Sequence, residues 1–293
     1  MIQRFRINSW FVRVALAACM LSIFVVGGCS QAQPVSPHLN MGNPSRADAS
    51  STNNYLMRKS GFALSYNNTK GTPNWVSWRL TKSDLGHAGR VEFYPDERLP
   101  IWFKAVTPGD YTRSGFDRGH LCPHGDRSSG GLASRATFVM TNIIPQSPNL
   151  NRDAWNQLEI YCRKLVSHGK TLYIFSGPQG RGGVGSRGRK AKIGRETSVS
   201  VPSKCWKVIM VLNGGPGDDL KKVTRKTRLI AVIMPNDMSV GEEWGGYRVS
   251  VADVEKLTGY RFFDKVPAAI INPLKKKVDR LPIPPPVQMS RGG

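Results

Sequence analysis

Between Ser114 and Glu159 the chain sets a histidine two residues after an arginine, in Asp117-Arg118-Gly119-His120, then amides at Asn142 and Asn151, then a carboxylate at Glu159. Each type has a use in breaking a phosphodiester. With an ordinary pKa of about 6.5 a histidine is mostly neutral at pH 7, so His120 can take a proton from an attacking water. The guanidinium of Arg118 can meet two non-bridging oxygens at once and offset the charge they gain in the transition state. Magnesium wants octahedral oxygen ligands and keeps several waters, so the Asn151 amide oxygen plus phosphate oxygens could anchor it. Glu159 lies eight residues further on. On one continuous helix its Cα would be about 12 Å from that of Asn151, which leaves Glu159 to hold a water of the ion rather than the ion itself.

Each role has a bland competitor. His120 could bond a backbone carbonyl in a core, Asn151 could be a helix N-cap, and Glu159 could be a solvated helix charge. Residue type alone leaves Asn151 evenly divided, whereas the clustering of His120 with Arg118 and the downstream amides favours chemistry. Arg90 and Arg98 both stand upstream as a second arginine. Asp117 is expected to orient the loop, and Trp155 to lie in the core.

The elements that must position these residues can be read from the pattern. Gly61–Tyr66 and Asn74–Leu80 form a hairpin around a turn cluster, and Arg90–Tyr94 reads as a short strand. Ala136–Thr141 reads as a buried strand leading to Asn142. Trp155, Leu158, Cys162 and Leu165 form a helical stripe within Arg152–Val166. Leu172–Gly177, Cys205–Leu212 and Arg228–Met234 are further strands, and Val251–Leu257 is a helix capped by Ser250 and ended by Gly259. Strands, one central helix, then more strands argue for an α+β domain.

The chain has 293 residues, 40% of them apolar, and 42 basic against 20 acidic side chains, a formal charge of +22. Setting aside Arg4, Arg6 and Arg13 of the first 28 residues leaves 39 against 20, still +19. Such an excess points to a polyanionic partner, nucleic acid above all. Basic residues gather in the glycine-rich stretch Arg181–Arg195 and in Lys221–Arg228; each could follow a phosphate backbone or be ordinary solvated surface. After Cys29 only Cys122, Cys162 and Cys205 remain, which excludes a disulfide framework and a cysteine-based zinc site.

Residues 1–28 read as a lipoprotein-type signal peptide. Its apolar run, Val14–Gly28, is short for a membrane span, and Val26-Gly27-Gly28-Cys29 fits a lipobox, with ordinary cleavage and secretion as the alternative. The expected organisation continues with a flexible tether over 29–54, a domain over 55–272, and a basic, proline-rich tail over 273–293. The localisation expected is export, with a lipid anchor at Cys29 in a bacterial envelope.

Asp117-Arg118-Gly119-His120, Thr141-Asn142-Ile143-Ile144-Pro145-Gln146 and Asn151 to Glu159, in that order, resemble the DNA/RNA non-specific endonucleases with a ββα-metal site. The family includes secreted bacterial nucleases and mitochondrial endonuclease G, and the likeness runs from about Tyr55 to Ile271. It implies an α+β fold with a central, mostly antiparallel sheet, a catalytic loop and a metal-binding helix. It further implies a Mg2+-dependent endonuclease, with Mn2+ as a substitute, acting on DNA and RNA. In that scheme His120 is the general base, Asn151 the direct metal ligand, and Glu159 a ligand through water. Arg118 and Arg90 stabilise charge, and Asn142 is a supporting site residue. The alternative from another class is a surface lipoprotein that binds nucleic acid without cutting it, and a third is a phosphodiesterase of small nucleotides.

Overall fold

The computed structural model describes residues 36–283. The expectations for the signal peptide, for lipidation at Cys29 and for the last residues of the tail lie outside this range. In chain order the strands are β1 (Tyr55–Arg58), β2 (Ala63–Asn67), β3 (Thr72–Leu80), β4 (Asp117–His120), β5 (Ile143–Gln146) and β6 (Lys170–Gln179). They continue with β7 (Gly183–Gly185), β8 (Gly188–Lys190), β9 (Lys192–Ile193), β10 (Val199–Ser200), β11 (Lys204–Asn213), β12 (Arg228–Pro235) and β13 (Arg248–Val249). The helices are α1 (Gly131–Ala136), α2 (Pro148–Arg152), α3 (Ala154–Ser167), α4 (Val251–Thr258) and α5 (Ala268–Lys275).

One sheet runs β1-β2-β3-β6-β11-β12-β13, every pairing antiparallel. Antiparallel strands usually alternate apolar and polar residues, yet β11 is buried from Cys205 to Leu212, because both faces of the sheet are covered. Cys205, Ile209 and Val211 join a core with Trp78, Ile174 and the α3 residues Trp155, Leu158 and Cys162. Trp206, Val208, Met210 and Leu212 join a second core with Trp75, Phe175, Val254 of α4 and Ile271 of α5. The helical stripe expected on α3 faces the first core. Ser250 caps α4, accepting from Asp253 N, and Gly259 ends it in the left-handed region.

Two excursions leave this meander. The one between β3 and β6 carries every candidate site residue, and the one between β6 and β11 carries the basic strands β7 to β10.

Several local expectations are corrected. The residues from 36 to 54 are not a tether: Leu39, Met41 and Ala47 are buried in the second core, and Trp75 Nε1 donates to Ser45 Oγ at 2.7 Å. Three small anchors among polar residues left no apolar period to read. Ala136–Thr141 is not a strand. The chain leaves α1 at Ala136 and turns through Thr137, whose hydroxyl donates to Ser134 O; the strand is the next segment, β5. Phe138, Val139 and Met140 are nonetheless buried, and a short apolar run does not by itself separate strand from turn. Arg90–Tyr94 forms only a bridge between Tyr94 and Val139. The domain also runs past 272: Lys275 Nζ pairs with Glu255 at 2.7 Å, and Asp279 is clamped by Arg228 at 2.8 Å. Cys122, Cys162 and Cys205 are free thiols, all buried.

Candidate active site

β4 and β5 pair antiparallel from Asp117↔Gln146 to His120↔Ile143, and α2 follows at once. Gly119 is required here, since any Cβ would collide with the Gln146 side chain. Ser147 caps α2 by accepting from Leu150 N, with Pro148 in the first turn. The N-cap alternative for Asn151 is thereby removed: Asn151 stands in the last turn of α2. The backbone breaks at Asp153 (φ −102°, ψ −103°) before α3, so Asn151 and Glu159 do not share one continuous helix.

His120 packs with Phe93 and Phe138 in a three-ring cluster, the centroids 5.2, 5.3 and 5.4 Å apart. The Arg118 guanidinium sits over the Phe93 ring, 4.9 Å from its centre, and that of Arg90 sits over Phe138 at 5.1 Å. Neither arginine pairs with a carboxylate among the described residues. Burial, then the nearby charge of Arg90 and His124, pushes the His120 pKa down to about 3, so the imidazole is neutral at pH 7. Its Nε2 is enclosed and has no hydrogen-bond partner among the described residues. Arg98 lies elsewhere, in a small groove with Asp96 and Tyr94, so the upstream arginine of the cleft is Arg90.

Asp117 does what its place in the motif suggested. It accepts from Asn151 Nδ2 at 2.9 Å and takes a bidentate bond from Arg152 at 2.8 Å, tying β4 to α2. With its nitrogen committed to a carboxylate, the Asn151 amide is oriented, and its oxygen is the end left to serve as a ligand. Glu159 is largely buried, its carboxylate 3.3 Å from Lys207 Nζ. Burial raises its pKa, against the lowering pull of Lys207 and Arg163. Lys207 comes from β11, is 1% exposed, and sits 4.2 Å from the centre of the Trp155 ring.

Arg90, Arg118, His120, Asn151 and Glu159 line one cleft of about 800 Å³. Asn142 does not line the cleft with them; it stands behind it. It is fully buried, donates to Cys122 O and Thr137 O at 2.8 Å, and accepts from Cys122 N at 3.0 Å. Its amide pins the turn that leaves His120 and acts by position alone.

Sequence reasoning missed His124 and Arg163, which also line the cleft, and Lys207 behind it. Arg163 was findable, one helical turn past Glu159 at i+4. Among the described residues no group of three or more His, Cys, Asp or Glu side chains could hold a metal. The donor set that is present, one oriented amide oxygen beside a buried carboxylate, suits a hydrated hard cation that keeps most of its waters.

Two antiparallel strands feeding a helix, with the histidine on the first strand and the amide on the helix, define the ββα-metal class of nuclease folds. The family described as DNA/RNA non-specific endonuclease matches residues 42–269. A nuclease of Nostoc sp. is 44% identical over 271 residues, covering 88% of this chain and 95% of that protein. The human mitochondrial nuclease EXOG is 34% identical over 69% of this chain, which spans 55% of its length. A crystal structure of EndoG in complex with EndoGI superposes with a TM-score of 0.65 at 27% identity, over 80% of this chain and 92% of that one. The chain belongs to the DNA/RNA non-specific endonuclease family.

Proposed function

We propose that the protein hydrolyses phosphodiester bonds of both DNA and RNA with one bound Mg2+, for which Mn2+ can substitute. The observation that carries this reading is a neutral imidazole flanked by two arginines without carboxylate partners, in the same cleft as an oriented amide and a buried carboxylate.

When bound, the ion polarises the scissile phosphate and stabilises the departing 3′-oxygen. Asn151 would hold it through the amide oxygen, and Glu159 at one remove, through water. The neutral His120 imidazole takes the proton of the water that attacks phosphorus. Burial depresses this imidazole most and the Arg90 charge next; a phosphate in the cleft opposes the second of these, which eases formation of the imidazolium as the proton arrives. Arg118 and Arg90 donate to the non-bridging oxygens, where negative charge grows. The products carry a 5′-phosphate and a 3′-hydroxyl. No group in the scheme needs a 2′-hydroxyl, so either sugar serves.

Export, with a lipid anchor at Cys29, is part of the proposal; the mass of the mature N-terminus tests it. The activity is tested by incubating the purified protein with plasmid and with RNA, in magnesium and in EDTA. Both substrates should be cut in magnesium and spared in EDTA, and intact substrates in magnesium sink the reading.

A further inference from the structure

The hairpin β7–β8 carries Arg187 in its turn and Arg189 and Lys190 in succession on its second strand, and Arg189 Nη1 donates to Gly182 O at 2.6 Å. Arg187 and Arg189 are exposed, and none of the three pairs with a carboxylate among the described residues. On a loose loop this would be ordinary solvated surface.

The hairpin is not loose. Ser186 donates to Gly115 O from its backbone N at 2.9 Å and from its hydroxyl at 3.3 Å. Gly115 sits at φ 89°, and a Cβ there would meet the N and Cβ of Arg187 at 2.9 Å, so the two backbones touch. Arg118 follows three residues later. On the other side Val184 N donates to Asn236 O at 2.9 Å. The Asn236 amide in turn donates to Pro145 O at 2.9 Å and accepts from Ser147 N at 2.7 Å, at the end of β5 and the cap of α2. One hairpin is thus fastened both to the loop that carries Arg118 and His120 and to the turn that leads to Asn151. Cations held in fixed relation to a phosphodiester cleft meet the next phosphates of a strand that passes through it.

We propose that Arg187, Arg189 and Lys190 form a phosphate-binding ledge that continues the cleft and holds the nucleic-acid strand beyond the scissile bond. This rests on the nuclease reading. A charge-matched comparison exists in Lys221, Arg225 and Lys226, all exposed, in the connection from β11 to β12. That connection leaves β11 at Asn213, whereas the hairpin lies near Pro202 and Ser203 at the opposite end, about 30 Å away along the strand.

The test is fluorescence anisotropy in EDTA, across a salt series, with labelled single strands of about 20 and about four nucleotides. The proteins are wild type, R187Q/R189Q/K190Q and K221Q/R225Q/K226Q. Each lost phosphate contact should take about 0.7 from the salt slope, so the hairpin variant should be shallower by about 2 on the longer strand and near wild type on the shorter. The remote variant should keep the wild-type slope. An unchanged slope in the hairpin variant, or an equal loss in the remote one, overturns the ledge. Because binding is read without cleavage, wild type that binds steeply yet spares DNA in magnesium overturns the nuclease reading instead.

Discussion

Replacing Lys207 by methionine keeps most of the side-chain volume and removes the charge that faces Glu159. The Nζ to Oε1 distance is 3.3 Å, and the two side chains are 1% and 11% exposed. At an effective dielectric constant of about 20, that separation corresponds to roughly 5 kcal/mol of attraction, and removing one partner of a buried pair costs about 3–5 kcal/mol. Burial already raises the Glu159 pKa more than Lys207 and Arg163 lower it, so without Lys207 the carboxyl takes up a proton more readily and part of the cost is relieved. The expected loss is therefore at the lower end, about 3 kcal/mol for Lys207→Met and a similar amount for Glu159→Gln. In the double variant both charges are gone, and most of that loss should be recovered. Urea unfolding of the four proteins at neutral pH measures this directly. A single-variant loss under about 1 kcal/mol, or a double variant that loses the sum of the two singles, would refute the claim that Lys207 maintains the Glu159 charge.

Three further outcomes are expected. His38 is buried and its pKa is pushed down to about 4 by burial and by Arg127, whereas unfolded it titrates near 6.5. Its contribution to stability is whole above that value and is lost as pH falls toward 4, roughly 3 kcal/mol in all, so His38→Asn should flatten the acid side of the stability curve from denaturant melts. Asn142→Ala removes the partner of Cys122 N and O, in the turn after His120, and of Thr137 O, which should cost about 3 kcal/mol in thermal unfolding and lower kcat. Asp117→Ala removes the acceptor that orients Asn151, and it should raise the Mg2+ concentration for half-maximal cleavage by about 10- to 100-fold.

Much of the site was legible because its chemistry is local in sequence. His120, Arg118, Asn151 and Glu159 fall within 46 residues, and the α3 stripe gave the core face of the helix that carries Glu159. The sheet strands were legible for the same reason, as β-branched runs between turns. What could not be read depends on contacts with no sequence period. The rings around His120, Phe93 and Phe138, come from two separate segments, and Arg90, over Phe138, lines the cleft whereas Arg98 lines another groove. Lys207 reaches Glu159 from a strand 48 residues away. Asn142 looked like a site amide because it follows the motif, yet its three bonds all face inward. The segment from 36 to 54 was misread because polar composition suggests a tether even where a few apolar side chains dock it.

In the proposed mechanism the neutral His120 imidazole removes the proton from the attacking water. This step is tested most directly by His120→Ala, with plasmid cleavage in magnesium and DNA binding in EDTA measured on the same preparation. Binding should stay within a few-fold of wild type while the cleavage rate falls by about 10²- to 10⁴-fold. A variant that binds normally and cuts at the wild-type rate would contradict the account.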